Sequence, residues 1–273
     1  MRVTFRCQCV AATVAACLAL GVALLPLVAH AQSALNDVKK RGKMIVGVKT
    51  DFPPFGSVDA AGTNVGFDVD VSQELARAVF GDANANKLEL VSVTSGNRIP
   101  YLQSGKIDII VATVTVTDER RKVVEFSDPY FLSGALLLVP KTSAINDTKD
   151  LNGKKVAVIQ GAITDQDIAE LAPQATRLKY GKVTEAVLAV KAGHADAFAQ
   201  DDILILKLAK DNPDLRVAGK PFQPRPYGIA VRKGDTEFIG WVNAQLKRMH
   251  ADGTYDRIWK KYVGEFESHL LKP

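Results

Sequence analysis

Short polar clusters stand directly after apolar runs along this chain: Lys49, Thr50, Asp51 and Phe52 after Met44–Val48, and Asn97 and Arg98 after residues 88–93. Thr113, Thr115, Thr117 and Arg120 follow residues 107–112, Thr164 opens a helical stretch, and Gln200 and Asp201 follow a run ending at Ala199. A site for a free amino acid needs a fixed cation and several donors for the carboxylate, and an opposed carboxylate for the ammonium. Arg120 with Asp201 supplies that pair. Helix starts near Thr117 and Thr164 add N–H donors and positive partial charge where an anionic group would sit. Taken singly, each residue has an ordinary structural use. Arg120 lies in Asp118-Glu119-Arg120-Arg121-Lys122, the pattern of a solvated helix face; Asp201 beside Asp202 reads as a helix cap, Phe52 as core, and Lys49 and Arg98 as surface charges. Their joint placement after strands points to a site.

Other chemistries are poorly supplied. His194, His250 and His269 have no metal-ligand spacing, and G-x-S-x-G, H-E-x-x-H, P-loop and G-x-G-x-x-G patterns do not occur, so neither a metal nor a cofactor is expected. Cys7, Cys9 and Cys17 all fall in an N-terminal leader, which leaves the remainder without a disulfide framework or a thiolate nucleophile. The net charge of +5 is modest and scattered along the chain, so no nucleic-acid partner is expected.

The elements that must position these residues begin after that leader. Arg2 and Arg6 precede an apolar stretch from Cys9 to Val28, and Ala29-His30-Ala31 is a small-x-small cleavage pattern, predicting an exported protein cut after Ala31. A membrane anchor and lipoprotein-type processing at Cys17 are the alternatives. Thereafter Val- and Ile-rich runs alternate with helical spacing, the pattern of strand-helix-strand units. Strands are predicted at Met44–Val48, 88–93 and 107–112. Val71, Leu75, Ala78 and Val79 mark a helix, with Asp70 and Gln73 as a capping box at its start. Phe238, Val242, Leu246 and Met249 mark another, and a last helix holds Ile258 and Trp259.

The stretch from Gly153 to Ile159 echoes Gly42 to Val48, and Gly193-His194-Ala195-Asp196 echoes Gly105-Lys106-Ile107-Asp108. Two similarly built α/β lobes are implied: residues 32–131, then 132–228, with 229–273 returning to the first. Extended passages at 127–140 and 221–230 would cross between them, the second held out of helix by Pro221, Pro224 and Pro226. Ligands of open α/β sheets bind outside the carboxyl ends of the strands, so a cleft between the lobes is the expected site and hinge closure the expected motion.

With Gly66-Phe67-Asp68-Val69-Asp70-Val71, Gly105-Lys106-Ile107-Asp108, Val116-Thr117-Asp118-Glu119-Arg120 and Phe126-Ser127-Asp128-Pro129-Tyr130 in this order, the chain resembles the periplasmic solute-binding proteins that deliver polar amino acids to ABC importers. The resemblance covers essentially everything after the leader. It implies a type II two-lobed fold with mixed sheets, no catalysis, an amino acid ligand, a membrane permease partner, a periplasmic location and a monomer. It also implies roles: Arg120 for the ligand carboxylate, Asp201 for the ammonium, Thr115 and the Thr113 backbone for the ligand's backbone groups, and Phe52 as the covering aromatic. Thr113 departs from the family pattern, where Gly is common, as do Asp118 for Pro and Ala162-Ile163 for two hydroxyl residues.

Gly47-Val48-Lys49-Thr50-Asp51, Asn97-Arg98-Ile99-Pro100 and Pro226-Tyr227-Gly228 are similar to the aspartate/glutamate-binding subgroup. There Lys49 and Arg98, with the hydroxyls of Thr164 and Tyr227, would neutralise a side-chain carboxylate, and Asp51 would lie alongside. A second buried carboxylate requires a second cation. Glutamine or asparagine is the alternative ligand, and an enzyme resembling cyclohexadienyl dehydratases is the alternative from another class.

Overall fold

The structure, a computed structural model, describes residues 33–82 and 87–269; the expected leader and the cleavage expected after Ala31 lie outside them. Along the chain come α1 (Ala34–Arg41), β1 (Met44–Val48), β2 (Asp51–Phe52), β3 (Gly56–Val58), β4 (Asn64–Val65) and α2 (Phe67–Phe80). β5 (Leu88–Ser92), α3 (Arg98–Gln103), β6 (Ile109–Ile110), α4 (Asp118–Arg121) and β7 (Val124–Phe126) follow. The long β8 (Phe131–Pro140) opens a second series: β9 (Lys155–Ile159), α5 (Thr164–Leu171), β10 (Thr176–Tyr180), α6 (Val183–Lys191), β11 (Ala197–Asp201), α7 (Asp202–Asp211) and β12 (Leu215–Tyr227). β13 (Ala230–Arg232), α8 (Thr236–Ala251) and α9 (Thr254–Tyr262) complete it.

These strands form two mixed sheets, ordered β5-β1-β6-β13-β7 and β10-β9-β11-β8-β12, besides a small sheet of β2, β3 and β4. In each large sheet the first βαβ unit is parallel, β1 with β5 and β6 in one and β9 with β10 and β11 in the other. The antiparallel members are the strands next to the crossings: β13 pairs β6 and β7, and β8 pairs β11 and β12. The two sheets therefore have the same plan and are the centres of two lobes. Each crossing is an extended segment, and Tyr130 N–H bonds the Tyr227 carbonyl at 3.0 Å, tying one to the other.

Apolar spacing explains the packing. Phe238, Val242, Leu246 and Met249 are buried along one face of α8, each such side chain contributing on the order of 1.5–3 kcal/mol when removed from water. β1 reads as continuous apolar residues because it is covered on both faces.

Two local expectations differ from the structure. α2 begins at Phe67, three residues before the expected capping box: Gly66, at φ 142°, turns the chain in and its carbonyl accepts the Asp70 N–H. Asp70 and Gln73 therefore lie inside the helix. The strand expected over 107–112 is assigned only at Ile109–Ile110, although the Asp108 and Val111 N–H groups on either side still donate to the Ile45 and Gly47 carbonyls of β1, and the chain takes φ 47° at Thr113 just beyond.

Candidate functional site

Lys49 is the first residue beyond β1 and is 4% exposed, its ammonium 3.6 Å from the centre of the Phe52 ring. Burial, with the neighbouring Arg98 charge, pulls its pKa down to about 7, against the opposing attraction of Asp201, Asp51 and Asp68. Asp51, two residues on, sends its carboxylate to the other lobe, where it accepts the Val183 N–H at 3.0 Å at the start of α6.

Arg98 opens α3 and is 2% exposed. Its Nη1 donates to the carbonyls of Ala112 and, at 3.1 Å, Thr113, while Nε is buried without a partner. Burial first, then the Arg120 charge, lowers its pKa to about 9. Thr113 is held by Asp68, the second residue of α2: one carboxylate oxygen accepts the Thr113 N–H at 3.0 Å and the other the Tyr130 hydroxyl at 2.9 Å. Desolvation raises Asp68 to about 7. Arg120 lies in α4, whose Thr117 cap accepts the Arg120 N–H, and its guanidinium donates to the Thr115 carbonyl at 2.8 Å and to Gly161 of the other lobe at 3.1 Å.

The second lobe presents Thr164 at the start of α5 and Gln200 and Asp201 at the end of β11. Gln200 Oε1 accepts from the Asp201 N–H at 3.1 Å and lies 3.4 Å from the Thr164 hydroxyl, while its Nε2 is buried and unpartnered. Asp201 accepts the hydroxyl of the fully buried Tyr227; burial raises the Asp201 carboxyl, opposed first by Lys49, then by that hydrogen bond and by Arg98 and Arg120. Nearby, Arg225 is ion-paired at 2.8 Å to the buried Asp167.

The lobes meet across this cluster. Gly161 and Gly96 approach so closely that a Cβ on Gly161 would lie 2.7 Å from the Gly96 Cα. Between them remain a pocket of about 10 Å³ bordered by Thr115, Thr164, Asp201 and Tyr227 and an opening of about 160 Å³ beside Arg120. Among the described residues Lys49, Arg98 and Arg120 have no ion pair to a carboxylate, and Asp201 has none to a cation. The arrangement offers unpaired positive charge and one carboxylate to a small zwitterion.

Of the residues expected at the site, Thr115, Thr164, Asp201 and Tyr227 border the small pocket and Arg120 the opening beside it, while Lys49, Phe52, Arg98 and Thr113 are buried and border neither, Lys49 and Arg98 lying within electrostatic reach of Asp201 and the Asp51 carboxylate turned to α6. Asp68, Tyr130, Asp167 and Arg225 were not singled out from sequence. A charge at Asp68 inside the apolar run Phe67-Asp68-Val69 was the available signal; for the Arg225–Asp167 pair, made across 58 residues, there was none.

Two mixed-sheet α/β lobes, two crossings and a charged cluster at their junction define a solute-binding protein of the type II fold. The chain belongs to the bacterial extracellular solute-binding proteins, family 3, which it matches over residues 44–265. It is 42% identical over 236 residues to the ABC transporter glutamine-binding protein of Bacillus subtilis, covering 86% of each. To the glutamine-binding protein of Geobacillus stearothermophilus it is 44% identical, over 74% of this chain and 77% of that one. A crystal structure of a mutant arginine-binding protein from T. maritima superposes with a TM-score of 0.80 at 38% identity, over 85% of this chain and 99% of that one. These relatives are binding proteins, the first of an ABC transporter, and this chain is a binding protein, not an enzyme.

Proposed function

We propose that this amino-acid-binding protein of an ABC importer takes an L-amino acid with a carboxylate side chain, glutamate or aspartate. Arg120 and the donors at Thr115 receive the α-carboxylate, and Asp201 with the Thr113 carbonyl receives the α-ammonium. Lys49 and Arg98, with Thr164 and Tyr227, receive the side-chain carboxylate, while Phe52 covers the ligand. The observation that carries this reading is that Lys49 and Arg98 are buried side by side and, among the described residues, neither makes an ion pair with a carboxylate, although Asp201 attracts both from a distance. Two buried cations side by side repel each other and are desolvated, and an incoming anion relieves both penalties.

Glutamine is the second reading. It is supported by the two glutamine-binding relatives and by the Lys49 pKa of about 7, since a neutral amine fits a carboxamide. The lobe limits at 131/132 and 228/229, cleavage after Ala31, a periplasmic location, a monomeric state and delivery to a membrane permease complete the proposal.

The test is calorimetric titration of the refolded, ligand-stripped protein from Gln32 onward with glutamate, aspartate and glutamine. Tighter binding of a dicarboxylate supports the acidic site. Tighter binding of glutamine replaces it by the second reading.

A further inference from the structure

Thr113 is a β-branched residue at φ 47°, a backbone region that glycine enters freely and threonine resists. Its hydroxyl is buried without a hydrogen-bond partner, so the side chain does nothing locally to hold that conformation. What holds it is the backbone: the Thr113 N–H donates to Asp68 Oδ2 at 3.0 Å and its carbonyl accepts from Arg98 at 3.1 Å. Asp68 is fully buried, and its other oxygen accepts the hydroxyl of Tyr130 in the first crossing segment at 2.9 Å. Both carboxylate oxygens are therefore used, and neither faces the pocket bordered by Thr115, Thr164 and Asp201.

We infer that Asp68 is a positioning residue for ligand binding: it clamps Thr113 in its left-handed backbone conformation and so aims the Thr113 carbonyl and the Arg98 guanidinium at the ligand. Asp68 does not touch the ligand and acts through the Thr113 peptide. An asparagine there keeps one acceptor oxygen for the Thr113 N–H and can only donate from its NH2 to the Tyr130 hydroxyl oxygen, so the bond to Tyr130 must reverse and the charge that strengthens the hold on Thr113 is lost. Released, Thr113 relaxes toward negative φ and its carbonyl turns away from Arg98. The inference rests on the proposed site only in assigning Arg98 and the Thr113 carbonyl to the ligand.

The test is a double-mutant cycle read by calorimetric titration with whichever of glutamate or glutamine the parent protein binds, so that a wrong ligand assignment does not decide it. Asp68→Asn weakens binding about 10- to 30-fold when residue 113 is threonine, the loss of a charge-assisted hydrogen bond. In the Thr113→Gly background, where positive φ is reached without a clamp, the same substitution changes Kd less than about threefold. Equal losses in the two backgrounds would overturn the inference. So would an Asp68→Asn protein that melts lower yet binds as the parent does, the signature of a purely structural aspartate. Should Asp68→Asn not fold, Tyr130→Phe, which frees one carboxylate oxygen and keeps the ring, completes the same cycle, with a smaller loss that again shrinks in the Thr113→Gly background.

Discussion

Two arginines on the two sides of the cleft have opposite surroundings. Arg225, on β12 of the second lobe, is ion-paired to Asp167, a carboxylate almost wholly buried. Arg120, on α4 of the first lobe, donates only to the carbonyls of Thr115 and Gly161, and Lys49 and Arg98 beside it are likewise without carboxylates. Arg225, although it and Asp167 border the same small pocket as Thr115, Thr164 and Asp201, is neutralised by its own buried anion. Buried cations left without one lower the stability of the ligand-free protein and reserve their attraction for an anion from outside. The second lobe, by contrast, offers the cleft Asp201, bonded to a hydroxyl and not to a cation. Lys49, Arg98 and Arg120 of the first lobe thus stand against Asp201 of the second, so a zwitterion between them bridges the lobes and favours closure.

The largest effect is expected from Arg120→Ala. If Arg120 receives the α-carboxylate common to every ligand, binding of glutamate and glutamine alike falls about 1000-fold, on the order of 4 kcal/mol for a desolvated charge pair losing one partner. A loss confined to one ligand, seen by calorimetry, would assign Arg120 to the side chain instead.

Lys49→Met sharpens the contrast within the first lobe. It keeps the apolar length and removes the charge, so glutamate binding weakens about 30- to 100-fold, the value of a hydrogen bond to a charged group, and glutamine binding about threefold or less. The same lysine sets a pH dependence. A bound carboxylate favours the ammonium form, whereas in the free site burial and Arg98 place its pKa near 7, with Asp201, Asp51 and Asp68 facing it. Below pH 7 Lys49 is already charged and glutamate affinity is flat from this source. Above pH 7 binding must take up a proton, and affinity falls by up to about tenfold per pH unit. Titrations from pH 6 to 9 should show that fall for glutamate and a shallower one for glutamine and for Lys49→Met.

How much of this was legible in the sequence follows the same division. Lys49, Arg98, Arg120 and Asp201 were visible because each follows a strand end, a one-dimensional signal. The paired sheets were visible through the echo of Gly42 to Val48 in Gly153 to Ile159. What sequence did not show depends on partners distant in the chain. Asp51 reaches Val183, 132 residues away; Asp68 reaches Thr113; and Arg225 reaches Asp167. Nothing local marks Asp51 as facing a helix start in the other lobe. The early start of α2 was hidden by a plausible capping box inside the helix, while Gly66 supplied the turn. α1 went unread although Ser33 and Gly42 cap it.

Arg225→Ala tests the paired side of the comparison. It strands the Asp167 carboxylate, and because the Arg225 side chain is 26% exposed the loss is about 1–2 kcal/mol, below that of a fully buried pair. The melting temperature falls by about 3–8 °C, while the ratio of glutamate to glutamine affinity stays as in the parent. A changed ratio would show that Arg225 reads the side chain and that the pairing with Asp167 does not neutralise it.

The smallest effect concerns Asp51, whose carboxylate joins the lobes by accepting the Val183 N–H at 3.0 Å. That contact needs the lobes together and involves no ligand atom, so Asp51→Ala should weaken every ligand by the same factor. The loss of one such hydrogen bond amounts to about 1 kcal/mol, or roughly fivefold. In the Lys49→Met background this uniform loss is separable from any influence of Asp51 on the lysine. A selective loss for one class of amino acid under that condition would make Asp51 a ligand contact and leave the meeting of the lobes to the Arg120–Gly161 bond and the Gly96–Gly161 approach.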